Sequence, residues 1–111
     1  MHDQLPMQRM DVYRAAREIA RRVHEAKIRD AELRDQATRA AKSTFLRLCE
    51  GLPMESVPMR RKYFAEATGS LHETIGAVDL AGLIGAMSAD DAREVQALGV
   101  KLKAMLRGLM R

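Results

Sequence analysis

The chain has very little cysteine and few aromatic residues. It contains one cysteine, Cys49, no tryptophan, and two residues each of tyrosine and phenylalanine. A single cysteine cannot form an intramolecular disulfide, which excludes the class of small domains held together by disulfides. A β-sandwich core would need more aromatic and β-branched side chains. The abundance of Ala, Leu, Met and Arg instead favours an all-α fold with helices in close contact.

Long apolar runs are also missing. The longest, residues 75–87, is interrupted by Asp79 and is shorter than the ~20 residues that a membrane-spanning helix needs. No charged segment followed by an apolar one opens the chain, so nothing predicts a secretory signal. We therefore expect a cytoplasmic protein with no membrane partner. A chain of 111 residues has room for one hydrophobic core, which predicts a single domain, residues 1–111.

Hydrophobic periodicity predicts four helices, at about residues 10–27, 31–50, 58–85 and 89–110. Asp30, Ser56 and Ser88 are placed to cap the second, third and fourth helices, and Pro58 suits the first turn of the third. Gly51 is expected to end the second helix with a positive φ. Four amphipathic helices joined by short loops predict an antiparallel up-and-down bundle.

Three glycines lie inside the long third helix. Gly69, Gly76 and Gly82 each cost about 1 kcal/mol relative to alanine at such a position. We expect the close approach of a neighbouring backbone to explain all three.

The titratable residues give no sign of a metal site. His2, His24 and His72 are widely separated, and His72 beside Glu73 is not the i, i+4 pair that places two ligands on one helix face. The glycines of the third helix lack the lysine and the strand of a phosphate-binding loop. We expect no metal and no cofactor.

Catalytic residues are not predicted either. Cys49 lies one residue before a helix stop, a position typical of a small buried apolar side chain rather than a nucleophile. Glu50 and Glu73 have no evident acid–base partner, and we expect either to pair with Arg39. The sequence therefore predicts a protein that is not an enzyme.

The strongest functional signal is positive charge. The chain has 19 Lys and Arg against 15 Asp and Glu, a net charge of +4. On the first helix, Arg14, Arg17 and Arg21 recur at spacings of three and four, with Arg22 beside them, so they share a face opposite the apolar stripe. Such a face suits phosphate groups, whose counterions are released on binding. Glu18 and Glu25 leave open a simpler interpretation, a solvated surface of ion pairs.

A second basic group lies at the start of the third helix. Arg60, Arg61 and Lys62 occupy the positive end of the helix dipole, where positive charge is locally unfavourable by a few tenths of a kcal/mol. An anionic partner or the acids of a neighbouring subunit would explain them. Because aromatic residues are few, we expect contacts with the nucleic-acid backbone, largely independent of sequence.

Two linked motifs carry a family resemblance. Residues 39–51, RAAKSTFLRLCEG, resemble the signature R-A-A-x-S-I-P-x-N-I-A-E-G, and residues 63–73, YFAEATGSLHE, resemble F-L-x-I-A-x-G-S-L-x-E. Both motifs are those of the bacterial four helix bundle proteins, also called the 23S rRNA intervening-sequence protein family. The matching positions are Arg39, Ala40, Ala41, Ser43, Glu50, Gly51, Phe64, Ala67, Gly69, Ser70, Leu71 and Glu73.

The chain also departs from these motifs. Phe45 stands where the family usually has proline, and Arg47 where it has asparagine. Phenylalanine restores a backbone donor and adds apolar surface, which predicts a straighter second helix with Phe45 covered by something, for example a subunit interface.

The resemblance implies a fold and a set of partners. Family members are four-helix bundles, and none is known as an enzyme. A related protein, the accessory variability protein of diversity-generating retroelements, forms a pentameric barrel, binds the reverse transcriptase of the element and contacts nucleic acid through basic surfaces. By this resemblance we expect a homopentameric adaptor for RNA, DNA or a hybrid. A protein-binding or structural scaffold without a nucleic-acid role is the alternative.

Overall fold

The computed structural model describes residues 5–111, which form a bundle of four α-helices. A short 3-10 helix, Pro6–Arg9, is followed by α1 (Asp11–Glu25), α2 (Ala31–Gly51), α3 (Val57–Leu83) and α4 (Ala89–Leu109). No strand occurs within residues 5–111, so the predicted all-α class is confirmed there. Each helix contacts the next, α1 also contacts α4, and the contact between α2 and α3 is the most extensive.

Side-chain caps fix the starts of three helices. The Asp30 carboxylate accepts a hydrogen bond from a backbone N–H in the first turn of α2 at 2.9 Å. The Ser56 and Ser88 hydroxyls do the same for α3 and α4, at 3.4 and 3.1 Å. Pro58 lies in the first turn of α3, where its missing N–H has no helical partner to lose. These four predictions from the sequence are confirmed.

A residue with a positive φ lies just after the end of two of the helices. Lys27, at φ 49°, follows α1, and Gly85, at φ 77°, follows α3. The Ala86 N–H then donates to the Ala81 carbonyl at 2.8 Å, which closes the last turn of α3 in the manner of a glycine-ended helix. Helix α3 therefore ends at Leu83, two residues before the predicted end.

The expected positive φ at Gly51 is wrong. Gly51 is the last helical residue of α2, and among residues 5–111 Gly85 is the one glycine with a positive φ. The role of Gly51 is to allow close packing, because a Cβ atom added at Gly51 would lie 2.7 Å from Cε1 of Phe64 on α3. The same holds at Gly99 of α4, where an added Cβ would lie 2.8 Å from Cδ1 of Ile75.

The glycines of α3 differ from one another. An added Cβ at Gly82 would lie 2.9 Å from the Ala92 Cβ, so a close approach exists there, although to a side chain and not to a backbone. At Gly69 and Gly76 no atom lies within 4 Å of an added Cβ. The prediction of close packing is therefore wrong for these two positions, which face open space.

All four helices contribute buried side chains to one hydrophobic core. Two buried hydroxyls within it are satisfied locally, because Thr44 donates to the Ala40 carbonyl at 2.8 Å and Thr74 to that of Ser70 at 2.9 Å. None of the helices in residues 5–111 combines the length and apolar character needed to cross a membrane. The largest fully buried apolar side chains are Ile19, Val23, Ile28, Leu48, Phe64, Leu71, Val78, Val95, Leu102 and Leu106.

Phe45 is packed on one side against another ring of the same chain and is half-buried. Its ring packs edge-to-face on that of Tyr13 in α1, with centroids 5.1 Å apart and planes at 62°. Helix α2 passes through this position without interruption. A subunit interface is therefore not needed to cover the ring on the α1 side.

The glycine contacts predict opposite stability effects for two alanine substitutions. Gly51→Ala should lower the free energy of unfolding by about 1–3 kcal/mol, because the new methyl group overlaps the Phe64 ring. Gly69→Ala should raise it by up to about 1 kcal/mol, because alanine favours the helix and has open space there. Urea unfolding followed by circular dichroism measures both. Equal stability of Gly51→Ala and the parent chain would contradict the packing role of Gly51.

Candidate nucleic-acid interface

The arginines predicted on one face of α1 lie in different electrostatic surroundings. Arg14 is exposed and lies 3.8 Å from the Asp11 carboxylate. The Arg17 guanidinium lies over the Tyr13 ring, 5.8 Å from its centroid, and no carboxylate of residues 5–111 pairs with it. Arg17 therefore keeps its full positive charge available at the surface.

Arg21 and Arg22 belong to an ion-pair network instead. Arg21 pairs with Glu25 at 2.8 Å and with Glu18, while Arg22 donates to Glu18 at 3.0 Å and also pairs with Glu94 of α4. The hydrogen bond from Arg21 holds the pKa of Glu18 below its ordinary value. In turn, the carboxylates of Glu18 and Glu25 raise the pKa of Arg21. The charge of these two arginines is thus largely compensated.

The basic group at the start of α3 is less compensated. Arg60 donates to the Met54 carbonyl at 3.3 Å, which uses its guanidinium to hold the preceding turn. Arg61 and Lys62 are exposed, and neither forms an ion pair within the described residues. The first turn of α3 contains no acid. The positive end of the helix dipole therefore adds to the charge of these side chains.

A further lysine, which the sequence did not indicate, lies beside Arg17. Lys42 of α2 is exposed, has no ion pair within residues 5–111, and lines the same groove between α1 and α2 as Arg17. The groove has a volume of about 540 Å³. The available signal was the spacing of Lys42 and Phe45, three residues apart and hence on one helix face.

Several polar residues of the family motifs meet in one cleft between α2 and α3. The Ser43 and Ser70 hydroxyls lie 2.9 Å apart, and Gln36 donates to the Glu73 carboxylate at 3.3 Å. Arg39 lines the same cleft, which has a volume of about 320 Å³. The two motifs, separate in sequence, are thus brought together across the most extensive helix contact.

The expected ion pairs of Arg39 are not formed. Glu50 pairs with Arg47 at 2.8 Å, and Arg47 also lies 3.4 Å from Glu66 of α3. For Glu50 the reason is spacing, because Arg47 is one helical turn from it whereas Arg39 lies three turns away. Arg47, one of the residues that depart from the motif, therefore joins α2 to α3.

Most of the remaining motif residues serve packing. Gly51 admits the Phe64 ring, and the apolar side chains are buried in the core. Gly69 is exposed. The buried apolar positions are Ala40, Ala41, Phe64, Ala67 and Leu71.

The residues considered for metal binding or nucleophilic chemistry are dispersed. His24 and His72 lie on α1 and α3, both exposed, while His2 is outside the described residues. No three His, Cys, Asp or Glu side chains within residues 5–111 are grouped to hold a metal ion. Cys49 is half-buried, and burial raises the pKa of its thiol, which disfavours the reactive thiolate.

Comparison with known proteins identifies the family. The model of the 23S rRNA-intervening sequence protein family matches residues 8–108, from the 3-10 helix almost to the end of α4. Among curated proteins, none matches the chain. The family resemblance drawn from the two motifs is thereby confirmed.

The Glu18 network predicts a pH-dependent stability. Glu18→Gln should lower the free energy of unfolding at pH 7 by about 0.5–1 kcal/mol, because it removes pairs with Arg21 and Arg22. A carboxylate whose folded pKa is lowered stabilises above its unfolded pKa, about 4.3 for Glu, and loses this effect as pH falls through the folded pKa. The difference between variant and parent should therefore shrink as pH falls below the unfolded pKa and disappear once pH lies below the folded pKa.

Urea unfolding at several pH values measures this difference. Asp35→Asn is the matched control, because Asp35 is exposed and forms no ion pair within the described residues. A constant difference between Glu18→Gln and the parent at every pH would show that packing, and not charge, is lost.

Proposed function

Since the chain belongs to the 23S rRNA-intervening sequence protein family, we propose that it is a non-enzymatic oligomeric adaptor that binds nucleic acid without sequence specificity. The observation that carries the proposal is the grouping of exposed cations without carboxylate partners in residues 5–111. Arg17 and Lys42 line one groove, and Arg61 and Lys62 are adjacent near the start of α3. The name of the family, which refers to an intervening sequence of 23S rRNA, supports an RNA-related role.

Assembly would multiply this charge. We propose an antiparallel up-and-down bundle that forms a homopentameric ring. Two contacts support the antiparallel arrangement, because Gly51 at the end of α2 meets Phe64 near the start of α3, while Ser43 meets Ser70 further along. In a ring each basic surface recurs once per subunit, so weak phosphate contacts add through avidity.

The biological setting of the proposal follows the resemblance. The adaptor would act in the cytoplasm beside the reverse transcriptase of a diversity-generating retroelement, with RNA, DNA or their hybrid as the bound nucleic acid. Its contacts would be made mainly to phosphates, because aromatic residues, which stack on bases, are few in the chain.

A protein-binding or structural scaffold remains the second candidate, and a specific observation favours it. Arg14, Arg21 and Arg22 all lie within ion-pair distance of acids of the same chain. Such a surface is well solvated without a polyanion. Under this alternative the basic residues keep the assembly soluble and its partner is another protein.

Charge reversal on α1 distinguishes the two candidates. Arg14→Glu, Arg17→Glu and Arg21→Glu combined should abolish binding to a labelled oligonucleotide, because phosphates would meet acids in place of cations. The parent chain should bind at about 50 mM salt and lose affinity steeply as the salt concentration rises. Fluorescence anisotropy measures both effects.

The matched control carries the same change in net charge on another helix. Arg93→Glu, Lys101→Glu and Arg107→Glu combined alter exposed residues of α4 and should retain more of the affinity. Light scattering should show the mass of the assembly unchanged in both triple variants. A parent chain that binds neither RNA, DNA nor hybrid would overturn the proposed function in favour of the scaffold, and a monomeric mass would remove the ring.

A further inference from the structure

The groove between α1 and α2 combines an apolar floor with cations at its edge. Ala20 and Phe45, both half-buried, form the apolar part, and Thr38 and His24 add polar groups. Most of the lining surface is apolar, and the groove is open to solvent with a volume of about 540 Å³. This volume is within the range of sites for small organic ligands.

The aromatic ring in the floor is held in place before any ligand arrives. Tyr13 supports Phe45 edge-to-face from the α1 side, at a centroid distance of 5.1 Å. Tyr13 is itself buried, and the guanidinium of Arg17 lies over its ring. The contacts of Tyr13 with Phe45 and Arg17 therefore hold both the apolar floor and a cation beside it in place. Side chains that are already ordered lose less conformational entropy when a ligand binds.

The charges of the groove that have no ion-pair partner within residues 5–111 are positive. Arg17 projects from α1 and Lys42 from α2, and neither has a carboxylate partner within residues 5–111. Glu18 and Arg21 also line the groove, but they are bonded to each other. An occupant must therefore bring negative charge to Arg17 and Lys42, and an apolar or planar group to the floor.

These requirements describe one nucleotide unit of a single strand. We propose that the α1–α2 groove binds single-stranded nucleic acid, with a base against Phe45 and the adjoining phosphate at Arg17 and Lys42. The bases of a duplex are stacked inside the helix and cannot reach the floor, so the groove favours single strands. This inference rests on the proposed function and adds a base contact to its phosphate contacts.

The aromatic floor depends on one side chain, Phe45, whereas the cations of the groove are separate residues, Arg17 and Lys42. The general basic character is thus separate from the aromatic floor, and the two can be tested independently.

Single-stranded and duplex oligonucleotides of equal length separate the two contacts. In anisotropy titrations at about 50 mM salt, oligo-U and oligo-dT should bind the full chain at least fivefold more tightly than a duplex. Phe45→Leu should weaken single-strand binding by about fivefold or more and leave duplex binding unchanged, since a stacked base contributes roughly this factor or more. Lys42→Gln should lower the salt dependence on single strands by about one phosphate contact, while Lys101→Gln on α4 should not.

A second variant keeps the test independent of folding defects. Phe45→Trp retains an aromatic floor and introduces the only tryptophan of the chain. Its emission should be quenched by oligo-U or oligo-dT and unaffected by the duplex. Quenching by an acidic amphipathic peptide but not by an oligonucleotide would overturn the inference and assign the groove to a protein.

The outcomes also separate the two levels of the proposal. Equal binding of single strands and duplex, unaffected by Phe45→Leu, would reject the groove and leave the phosphate-binding adaptor intact. No binding of any nucleic acid by the parent chain would reject both.

Discussion

The contact between α2 and α3 is the constraint on which the bundle depends. The two helices lie close together, because α2 presents the small side chains of Ala37, Ala40 and Ala41 where larger ones would hold the helices apart. At the end of α2, Gly51 leaves room for the ring of Phe64, which is fully buried. Full burial of a phenylalanine contributes about 1.5–3 kcal/mol. Small residues on α2 thus let a few large residues of α3 be completely enclosed.

Close packing of this pair has a consequence at the surface. Polar residues flanking the alanines meet across the two helices, so Ser43 contacts Ser70 and Arg47 contacts Glu66. The polar cleft and the cross-helix ion pair are therefore products of the same short distance that forms the core. Between α1 and α2 the aromatic pair of Tyr13 and Phe45 fills the space instead, which leaves an open groove beside it.

The helices and their starts followed from local rules, because capping and periodicity act within one turn. Asp30, Ser56 and Ser88 needed only their own sequence neighbours to be identified as caps. Gly51 and Gly69 were misjudged because their surroundings are supplied by residues distant in sequence, or by none. Helical spacing likewise placed Arg14, Arg17, Arg21 and Arg22 on α1, but it did not determine with which carboxylates they form ion pairs.

The candidate site could be predicted less well, since it depends on the lateral contact of two helices. Arg17 was identified on α1 alone, whereas the neighbouring Lys42 becomes visible only when α2 is packed beside it. Glu94 of α4 pairs with Arg22 and compensates its charge, and this contact too forms only when distant parts of the sequence pack together. The uncompensated positive charge therefore lies at Arg17 and Lys42, which line the groove together with Phe45, and not at the Arg21–Arg22 end of α1.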